Sequence, residues 1–366
     1  MPSSTRASSS STNSFPKRNR TTLLFTMTHW YPLLFKSVYM PVCWGGDKFK
    51  RVLGRELPDS SGKYGEAWDI CDGENARSIV KNGALSGWTL RELVLRYGKD
   101  LIGKEFDSDR FPVMVKIIDA ADSLSMQLHP SHEDAEDIGN GARGKSEMWY
   151  ILQTDENAML HLGLRKDVTQ EKFSEACRTS AIEDMVEQYR SAPRDAFFVD
   201  YGCVHSIGRG NLLLEIQENS ETTYRFYDWG RMGLDGKPRQ LHYKEVMRCL
   251  KFDTESSQSG YIPPVDFPQN VNASRHLLRN RDLFSVEEMR VVDNWRDSTS
   301  FHVAAQLLTA VNGTFDIVTD VDNVHVPFGN TVLLPAAVGE YVISSPKNGT
   351  DNGITIIRTT IGSPGT

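Results

Sequence analysis

Two short segments of the chain carry side chains that could bind a metal ion. Gln127 and His129 lie two positions apart in the first segment, and Lys145 and Glu147 repeat this spacing in the second. Side chains two positions apart on a β-strand leave the same face. The polar, glycine-rich residues 133–144 between the segments predict a hairpin connection. The sequence therefore predicts that an imidazole, a carboxylate and a carboxamide converge inside a small barrel.

A third segment supplies a second imidazole. Residues 195–205 have the pattern of a strand, a Tyr-Gly turn and a further strand that opens with His205. With Gln127, His129 and Glu147, this histidine completes a set of nitrogen and oxygen ligands that suits zinc and leaves a position for water or substrate. A lone histidine is usually structural, but three such motifs in order on neighbouring strands favour a metal site.

The order of these motifs resembles that of the type I mannose-6-phosphate isomerases, most closely their short bacterial form. The matching motifs are Ser-x-Gln-x-His-Pro from Ser125, Lys-x-Glu-x-Trp from Lys145, Gly-x-x-His ending at His205, and Glu215 followed by Tyr-Arg ending at Arg225. Trp44-Gly-Gly46 and Gly65-Glu-Ala-Trp68 fit the opening pattern of that family, and the resemblance runs from about Pro41 to the C-terminal end. It implies a cupin fold and a zinc enzyme that interconverts mannose 6-phosphate and fructose 6-phosphate.

The resemblance also implies roles for individual side chains. Gln127, His129, Glu147 and His205 would hold one zinc ion per chain. Gln127 is the weakest of these ligands because its carboxamide is neutral. Arg225 matches the family's active-site arginine, whose guanidinium could stabilise enediolate charge or bind the phosphate through a bidentate contact.

Isomerisation also needs groups that move protons. Glu215 is the expected general base at C1 and C2, because its apolar strand at 212–217 should raise its pKa through loss of solvation. Without the resemblance, an ion pair with a structural arginine would explain this carboxylate equally well. Lys145 would face the site and either position a sugar hydroxyl or carry the oxygen-bound proton. Ser125 and Arg231 are the expected phosphate ligands.

Two turns depart from the family pattern. Pro193-Arg-Asp195 stands where the family has Pro-Gly-Asp, and Asp200-Tyr-Gly-Cys203 stands where it has Pro-x-Gly-Thr. We expect these changes to alter the stiffness of the turns before His205 and to bring an extra carboxylate near the metal. The histidine itself is retained.

Composition and charge limit the class of partner. The chain has 366 residues, 39% of them hydrophobic, and a net charge of −7, so it lacks the basic surface that nucleic-acid binding requires. No stretch approaches the roughly 20 apolar residues of a membrane-spanning helix. The five scattered cysteines form no C-x-x-C pair, which favours free thiols and a cytoplasmic protein. The expected partner is a small sugar phosphate, and both a monomer and a homodimer stay open.

The order of segments predicts four parts. Residues 1–26 form a Ser/Thr-rich disordered tail, 27–250 a catalytic metal-binding cupin domain with helical insertions, 251–282 a linker and 283–366 a second β domain. The second domain alternates short strands with Gly and Asn turns but lacks a His-x-His motif, so we expect a degenerate cupin half. The predicted fold is mainly β, with cupin or jelly-roll barrels and a small helical component.

Three helical segments are expected outside the barrels. Thr89 and Glu92 form a capping box for a helix that Gly98 should end. Residues 169–192 space their apolar side chains for a second helical segment. A short third helix is predicted at 241–250.

Two other functions fit the same residues. Two histidines and one glutamate could bind Fe(II) as the facial triad of a cupin oxygenase. A non-catalytic sugar-binding cupin could use the same pocket. The pair of Lys145 and Arg225, which simple oxygen chemistry does not need, favours the isomerase, which would act through a cis-enediolate.

Overall fold

Antiparallel β-strands dominate the structure, a computed structural model that describes residues 29–59, 63–252, 259–278, 283–345 and 353–362. The predicted tail at 1–26 lies outside the described residues. In chain order the strands are β1 Leu33–Lys36, β2 Val38–Gly46, β3 Tyr64–Ile70, β4 Ile79–Val80, β5 Val113–Asp119, β6 Met126–Leu128, β7 Glu147–Thr154, β8 Met159–Leu164, β9 Val186–Arg190, β10 Ala196–Val199, β11 His205–Ile207, β12 Asn211–Glu218, β13 Tyr224–Tyr227, β14 Gly260–Ile262, β15 Ala273–Leu278, β16 Phe284–Val291, β17 Asn294–Ser298, β18 Gln306–Asn312, β19 Phe315–Val318, β20 Asn323–Val326, β21 Thr331–Leu334, β22 Glu340–Ser344 and β23 Ile354–Ile361.

The helices are few and short. They are α1 Lys48–Arg51, α2 Leu90–Leu101, α3 His132–Ile138, α4 Gln170–Ala176, α5 Tyr243–Cys249 and α6 Thr299–His302, with a 3-10 helix at Ser180–Met185. Within the described ranges, none of them combines the length and the apolar character that a membrane span requires.

The strands of the described residues pair into four sheets. Sheet 1 has the order β15-β16-β23-β18-β21-β1-β4 and sheet 2 the order β14-β10-β7-β12-β5-β3-β2. Sheet 3 has the order β13-β6-β11-β8-β9 and sheet 4 the order β17-β22-β19-β20.

Alternate side chains on sheet 2 enter two different cores. On β12, Leu212 and Leu214 pack in the core shared with sheet 1, whereas Leu213 packs in the core shared with sheet 3. On β7, Met148 packs in the core shared with sheet 1 and Trp149 in the core shared with sheet 3. Sheet 2 is therefore covered on both faces, which explains why its strands are almost continuous runs of apolar residues.

Sheets 1 and 4 enclose the C-terminal core. Leu308 and Ile356 of sheet 1 pack with Phe315 and Ile343 of sheet 4. The sheets thus stack in the order 3, 2, 1, 4, with an apolar core between each neighbouring pair. This architecture confirms the predicted mainly β fold with a small helical component.

Glycines in the Trp44-Gly-Gly46 and Gly65-Glu-Ala-Trp68 motifs permit close packing of neighbouring strands. A Cβ atom on Gly46 would lie 2.5 Å from Oδ2 of Asp119, and one on Gly65 would lie 2.3 Å from the Trp44 ring. Neither position has room for a larger residue, which explains the Trp-Gly-Gly and Gly-Glu-Ala-Trp patterns.

The predicted hairpin between the two metal-binding segments is wrong. Residues 133–144 include most of α3, which begins after a capping box between Ser131 and Asp134. In addition, β6 and β7 lie in different sheets. Gln127 therefore belongs to sheet 3 and Glu147 to sheet 2, and the two meet because the sheets face each other.

The helical prediction at 169–192 holds only for its first part. After α4 and the 3-10 helix, residues 186–190 form β9, whose pairing with β8 overrides the local helical pattern. Helix α2 continues past Gly98 to Leu101, with non-helical backbone angles at Tyr97 (φ −133°, ψ 25°). Helix α5 confirms the short helix predicted at 241–250.

Residues 251–282, predicted as a linker, contribute two strands. Strand β14 joins sheet 2 and β15 joins sheet 1. Near the start of the chain, β1 also joins sheet 1, with Leu33 opposite Leu333 of β21. Sheet 1 is therefore built from both predicted domains, and their division at 251–282 stays a prediction.

Candidate metal centre

Three buried side chains with metal-binding atoms meet between sheets 2 and 3. His129 follows β6, His205 opens β11 and Glu147 opens β7. Nε2 of His129 lies 3.2 Å from Oε2 of Glu147, and Nε2 of His205 lies 3.5 Å from Oε1. One ligand atom from each residue can be chosen so that all three lie within 4.8 Å of one another. This spacing allows a single ion to contact all three side chains.

Both histidines are held in the form that binds metals. Nδ1 of His129 donates to the carbonyl oxygen of Thr222 at 2.9 Å, and Nδ1 of His205 donates to that of Cys203 at 2.9 Å. Because a carbonyl oxygen can only accept, each Nε2 keeps its lone pair and offers it towards Glu147. Burial, reinforced by the positive charge of Lys145, lowers the pKa of His129 to about 3. Burial also lowers the pKa of His205, so both rings are neutral at pH 7.

His129 and Glu147 therefore present two acceptors to each other with no proton between them. Within the described residues, neither Nε2 of His129 nor Oε2 of Glu147 makes an aligned hydrogen bond. Lys145 Nζ lies 2.9 Å from Oε2 as an ion pair. Although burial opposes ionisation, the positive charge of Lys145 holds the pKa of Glu147 well below its usual value. A divalent cation would satisfy these acceptors together, so the side chains fit a bound metal.

Gln127 lies next to His205, but the nitrogen of its side-chain amide, not the oxygen, faces this ligand. Its Nε2 lies 3.3 Å from Nε2 of His205, while its Oε1 accepts from Ser125 Oγ at 3.1 Å. Rotation of the amide would present the oxygen to a metal, so Gln127 stays a proposed ligand.

A lysine–glutamate network lies beside the ligands on sheet 2. Glu215 accepts from Lys116 Nζ at 3.0 Å and from Trp149 Nε1 at 3.3 Å, and Lys145 Nζ lies 3.9 Å from its Oε1. Burial, and then the negative charge of Glu147, raise the pKa of Glu215. The direction of this shift agrees with the sequence prediction, but the ion-pair partner is a lysine, where an arginine was the alternative considered.

Lys116 is a candidate site residue that sequence reasoning missed. It lies in β5 between apolar neighbours and shares a strand face with Met114 and Ile118. Its Nζ also lies 3.6 Å from a carboxylate oxygen of Glu66 and 5.4 Å from the ring centroid of Trp68. The available signal was a single lysine inside an otherwise apolar strand, a position that is costly unless the charge is paired.

Arg225 is linked to the ligand set through one serine. Its Nε donates to Ser125 Oγ at 3.0 Å, and that hydroxyl donates to Gln127 Oε1. Its Nη1 donates to the carbonyl oxygen of Gln240 at 3.3 Å. Burial, and then the nearby charge of Arg239, lower the pKa of Arg225 to about 10. Ser125 and Arg225 thus lie where they could contact a molecule bound at the metal.

Arg231 pairs with two aspartates. Its Nε and Nη2 donate to Oδ1 of Asp228 at 3.0 and 2.8 Å, and its Nη1 lies 3.6 Å from Asp122. It is therefore connected to Asp228, and it acts on Arg225 through charge.

The two departures from the family pattern have different consequences. Arg194 has a positive φ of 75°, a conformation that favours glycine, and its Nε donates to Glu288 at 3.1 Å. Asp200 accepts from the backbone N–H of Tyr201 at 2.9 Å. Among the described residues, the metal-binding group contains His129, Glu147 and His205 but not Asp200, so the expected extra carboxylate is absent from it.

Relatives of known sequence point to one family. Residues 33–159 match the family described as phosphomannose isomerase type I, catalytic domain. The chain is 37% identical over 320 residues to mannose-6-phosphate isomerase ManA of Bacillus subtilis (strain 168), covering 85% of this chain and 95% of that protein. It is 32% identical over 320 residues to the probable mannose-6-phosphate isomerase GmuF of the same organism, covering 87% of this chain and 96% of that protein.

Solved structures share the fold. A mannose 6-phosphate isomerase from Bacillus subtilis superimposes with a TM-score of 0.78 at 24% identity, covering 90% of this chain and 99% of that one. A structure described as a putative mannosephosphate isomerase from Archaeoglobus fulgidus gives a TM-score of 0.69 at 20% identity, covering 91% and 98%. Together with the sequence identity over most of its length, this places the chain in the type I phosphomannose isomerase family.

Proposed function

We propose that this protein is a zinc-dependent aldose–ketose isomerase that interconverts mannose 6-phosphate and fructose 6-phosphate. The observation that carries the proposal is the buried group of His129, Glu147 and His205, whose ligand atoms face one another beside a lysine–glutamate network. The identity to named isomerases over most of the chain supports the substrate.

Metal binding is assigned to four side chains. His129, Glu147 and His205 would hold the ion, and Gln127 would join them after rotation of its amide. A divalent ion bound there supplies a Lewis acid that stabilises negative charge on the sugar oxygens. Zinc suits this set because it accepts nitrogen and oxygen ligands and has no redox chemistry.

Proton transfer is assigned to the lysine–glutamate network. Aldose–ketose isomerisation removes a proton from C2, returns one to C1 and moves a second proton between the two oxygens through a cis-enediolate. Glu215 has the raised pKa that a general base needs for work near neutral pH. Lys116 and Lys145 both approach Oε1 of its carboxylate, at 3.0 and 3.9 Å, where they can orient it and carry the oxygen-bound proton.

Arg225 and Ser125 are assigned to the substrate. Arg225 is close to the ligand set through Ser125 and Gln127, so its guanidinium can stabilise charge on the enediolate. Ser125 and Arg231 would bind the phosphate group. A cytoplasmic location agrees with the five free cysteines, and a monomer or a homodimer is compatible with the proposal.

A coupled assay tests the proposal. Purified, zinc-loaded protein should form fructose 6-phosphate from mannose 6-phosphate at a rate proportional to enzyme concentration. Absence of product with fully metal-loaded protein would exclude the isomerase.

The same two histidines and glutamate would also suit the Fe(II) facial triad of a cupin oxygenase. The buried Lys116–Glu215–Lys145 network favours the isomerase, because oxygen activation does not require paired acid–base groups beside the ligands. Iron-loaded protein that consumed oxygen, with no isomerase activity in the zinc form, would favour the oxygenase.

A further inference from the structure

Two arginines share one buried carboxylate beside the proposed active site. Arg239 donates from Nε to Oδ2 of Asp228 at 2.7 Å, and its Nη2 also contacts Oδ1. Arg231 donates to Oδ1 from Nε and Nη2. The Asp228 side chain is only 7% exposed, so this carboxylate is held mainly by the two guanidinium groups. We call Asp228, Arg231 and Arg239 the arginine cluster.

A tight hairpin builds the arginine cluster. Met232 and Pro238 form an antiparallel bridge, and the N–H of Gly233 donates to the carbonyl oxygen of Lys237 at 2.8 Å. Arg231 and Arg239 flank this bridge, and both therefore reach Asp228 at the end of β13. The chain then returns to β13, where the N–H of His242 donates to the carbonyl oxygen of Arg225 at 2.7 Å.

The arginine cluster carries more positive than negative charge. Two guanidinium groups face one carboxylate. Arg225 adds a third positive charge, which interacts electrostatically with both Arg231 and Arg239. Asp122, 3.6 Å from Arg231, is 64% exposed and therefore screened by water. A local excess of positive charge in a protein of net charge −7 is the arrangement that a bound dianion would stabilise.

Arg231 also retains a donor for that anion. Its Nη1 is buried and has no hydrogen-bond partner in the described structure. Asp228 accepts from the other two nitrogens of the same guanidinium, and Arg239 fixes Asp228 by binding both of its oxygens. The orientation of the unused donor thus depends on Arg239.

We propose that Arg239 is a positioning residue for the phosphate group of the substrate and acts through Asp228 on Arg231. The inference rests on the proposed function in taking the substrate to be a sugar phosphate and Arg231 to be one of its phosphate ligands. Arg239 contributes geometry as well as charge, because its planar fork binds both carboxylate oxygens and a lysine cannot replace that contact.

Inorganic phosphate is the probe for this proposal. Calorimetry would compare its affinity for the zinc-loaded wild-type protein and for Arg239→Gln, Arg239→Lys and Lys237→Gln. Lys237 is exposed on the same hairpin, so its substitution removes an equal charge without touching the cluster. We expect Arg239→Gln and Arg239→Lys each to weaken phosphate binding about tenfold, and Lys237→Gln to change it less than about twofold.

Kinetics separate positioning from a structural role. In both Arg239 variants the KM for mannose 6-phosphate should rise about tenfold while kcat stays within about threefold, with zinc content and melting temperature close to wild type. Wild-type phosphate affinity and KM in Arg239→Lys would overturn the proposal, since charge alone would then suffice. This variant decides the question even if Arg239→Gln fails to fold.

The two proposals fail in different ways. If the wild-type protein shows no isomerase activity, phosphate affinity by calorimetry still tests Arg239. If the protein is an isomerase but phosphate affinity and KM are unchanged in both Arg239 variants, the role of Arg239 is refuted and the proposed function stands.

Discussion

Nε2 of His129 and Oε2 of Glu147 face each other at 3.2 Å although both atoms are acceptors. The contact joins sheet 3 to sheet 2 in the interior of the protein. A buried polar atom without a hydrogen-bond partner costs about 1–3 kcal/mol. The Lys145 ammonium lies 2.9 Å from Oε2 of Glu147, but Nε2 of His129 has no such partner in the described structure and would gain one from a bound metal ion. Metal binding should therefore stabilise the fold as well as serve catalysis.

Zinc should raise the free energy of unfolding, and Glu147 should be needed for this effect. At a free zinc concentration about 100-fold above its Kd, we expect a gain of about 2.7 kcal/mol for the wild-type protein. Glu147→Gln should lose at least about tenfold in zinc affinity because the charged ligand is gone. Chemical denaturation with and without zinc measures both, and Glu156→Gln, at an exposed position, is the matched control. Equal stabilisation of Glu147→Gln and wild type would argue against the metal site.

Glu215→Gln should lower kcat by about 100-fold or more while zinc stays bound. The substitution keeps the shape of the side chain but removes its ability to accept a proton, and general-base catalysis contributes about 10²–10⁴ in rate. Turnover and elemental analysis on the same sample provide the measurement. A variant with near wild-type kcat would assign the base elsewhere.

The acid limb of the pH profile of kcat/KM should report the ionisation of Glu215. A general base works when ionised, so the rate falls as the pH drops through its pKa. Because burial and Glu147 raise that pKa, the decline should begin at a higher pH than an ordinary glutamate would give. The acid limb should disappear from the residual activity of Glu215→Gln. An unchanged acid limb in that variant would mean that another group titrates.

Arg225→Ala should abolish turnover and leave the zinc in place. In the described structure the guanidinium is linked to the ligand set through Ser125 and Gln127, so its removal takes away substrate charge stabilisation without removing a ligand. Arg209→Ala, an exposed arginine, is the control and should retain activity. Loss of zinc from Arg225→Ala would refute the assigned role.

Asp119 should make the stability of the protein depend on pH. Burial raises the pKa of this carboxyl from 3.8 to about 6 in the folded protein. The folded protein therefore binds this proton more tightly than the unfolded chain does. The resulting contribution to the free energy of unfolding is fully present below pH 3.8 and is lost as the pH rises through about 6. At about 1.4 kcal/mol per pKa unit, the loss is up to about 3 kcal/mol.

The comparison with Asp119→Asn isolates this contribution. The stability of wild type relative to the variant should decrease between about pH 4 and pH 7, since other titrating groups cancel in the difference. Urea unfolding across this range measures it. A constant difference would show that Asp119 does not titrate there.

The placement of several candidate site residues on common strand faces followed from local sequence. Two-residue spacing placed Gln127 with His129, and Lys145 with Glu147, on common strand faces, and the alternation along β12 placed Glu215 on the same face as Leu213. These relationships depend only on the period of a β-strand, which a single segment displays.

Relationships between distant segments could not be predicted in the same way. The residues of the capping box at Ser131 and Asp134 can be read from the sequence alone. The separation of β6 and β7 into facing sheets cannot, because it depends on pairing with strands far along the chain. The contact of Lys116 with Glu215 likewise joins residues 99 positions apart. Strand β9 formed where helical spacing was present, because pairing with β8 outweighs local preference.

Turnover by metal-free protein tests the central claim most directly. Protein stripped of metal with a chelator and then freed of the chelator should give no fructose 6-phosphate from mannose 6-phosphate, and one equivalent of zinc should restore activity. Equal rates before and after zinc addition, with elemental analysis confirming the metal-free state, would contradict the account.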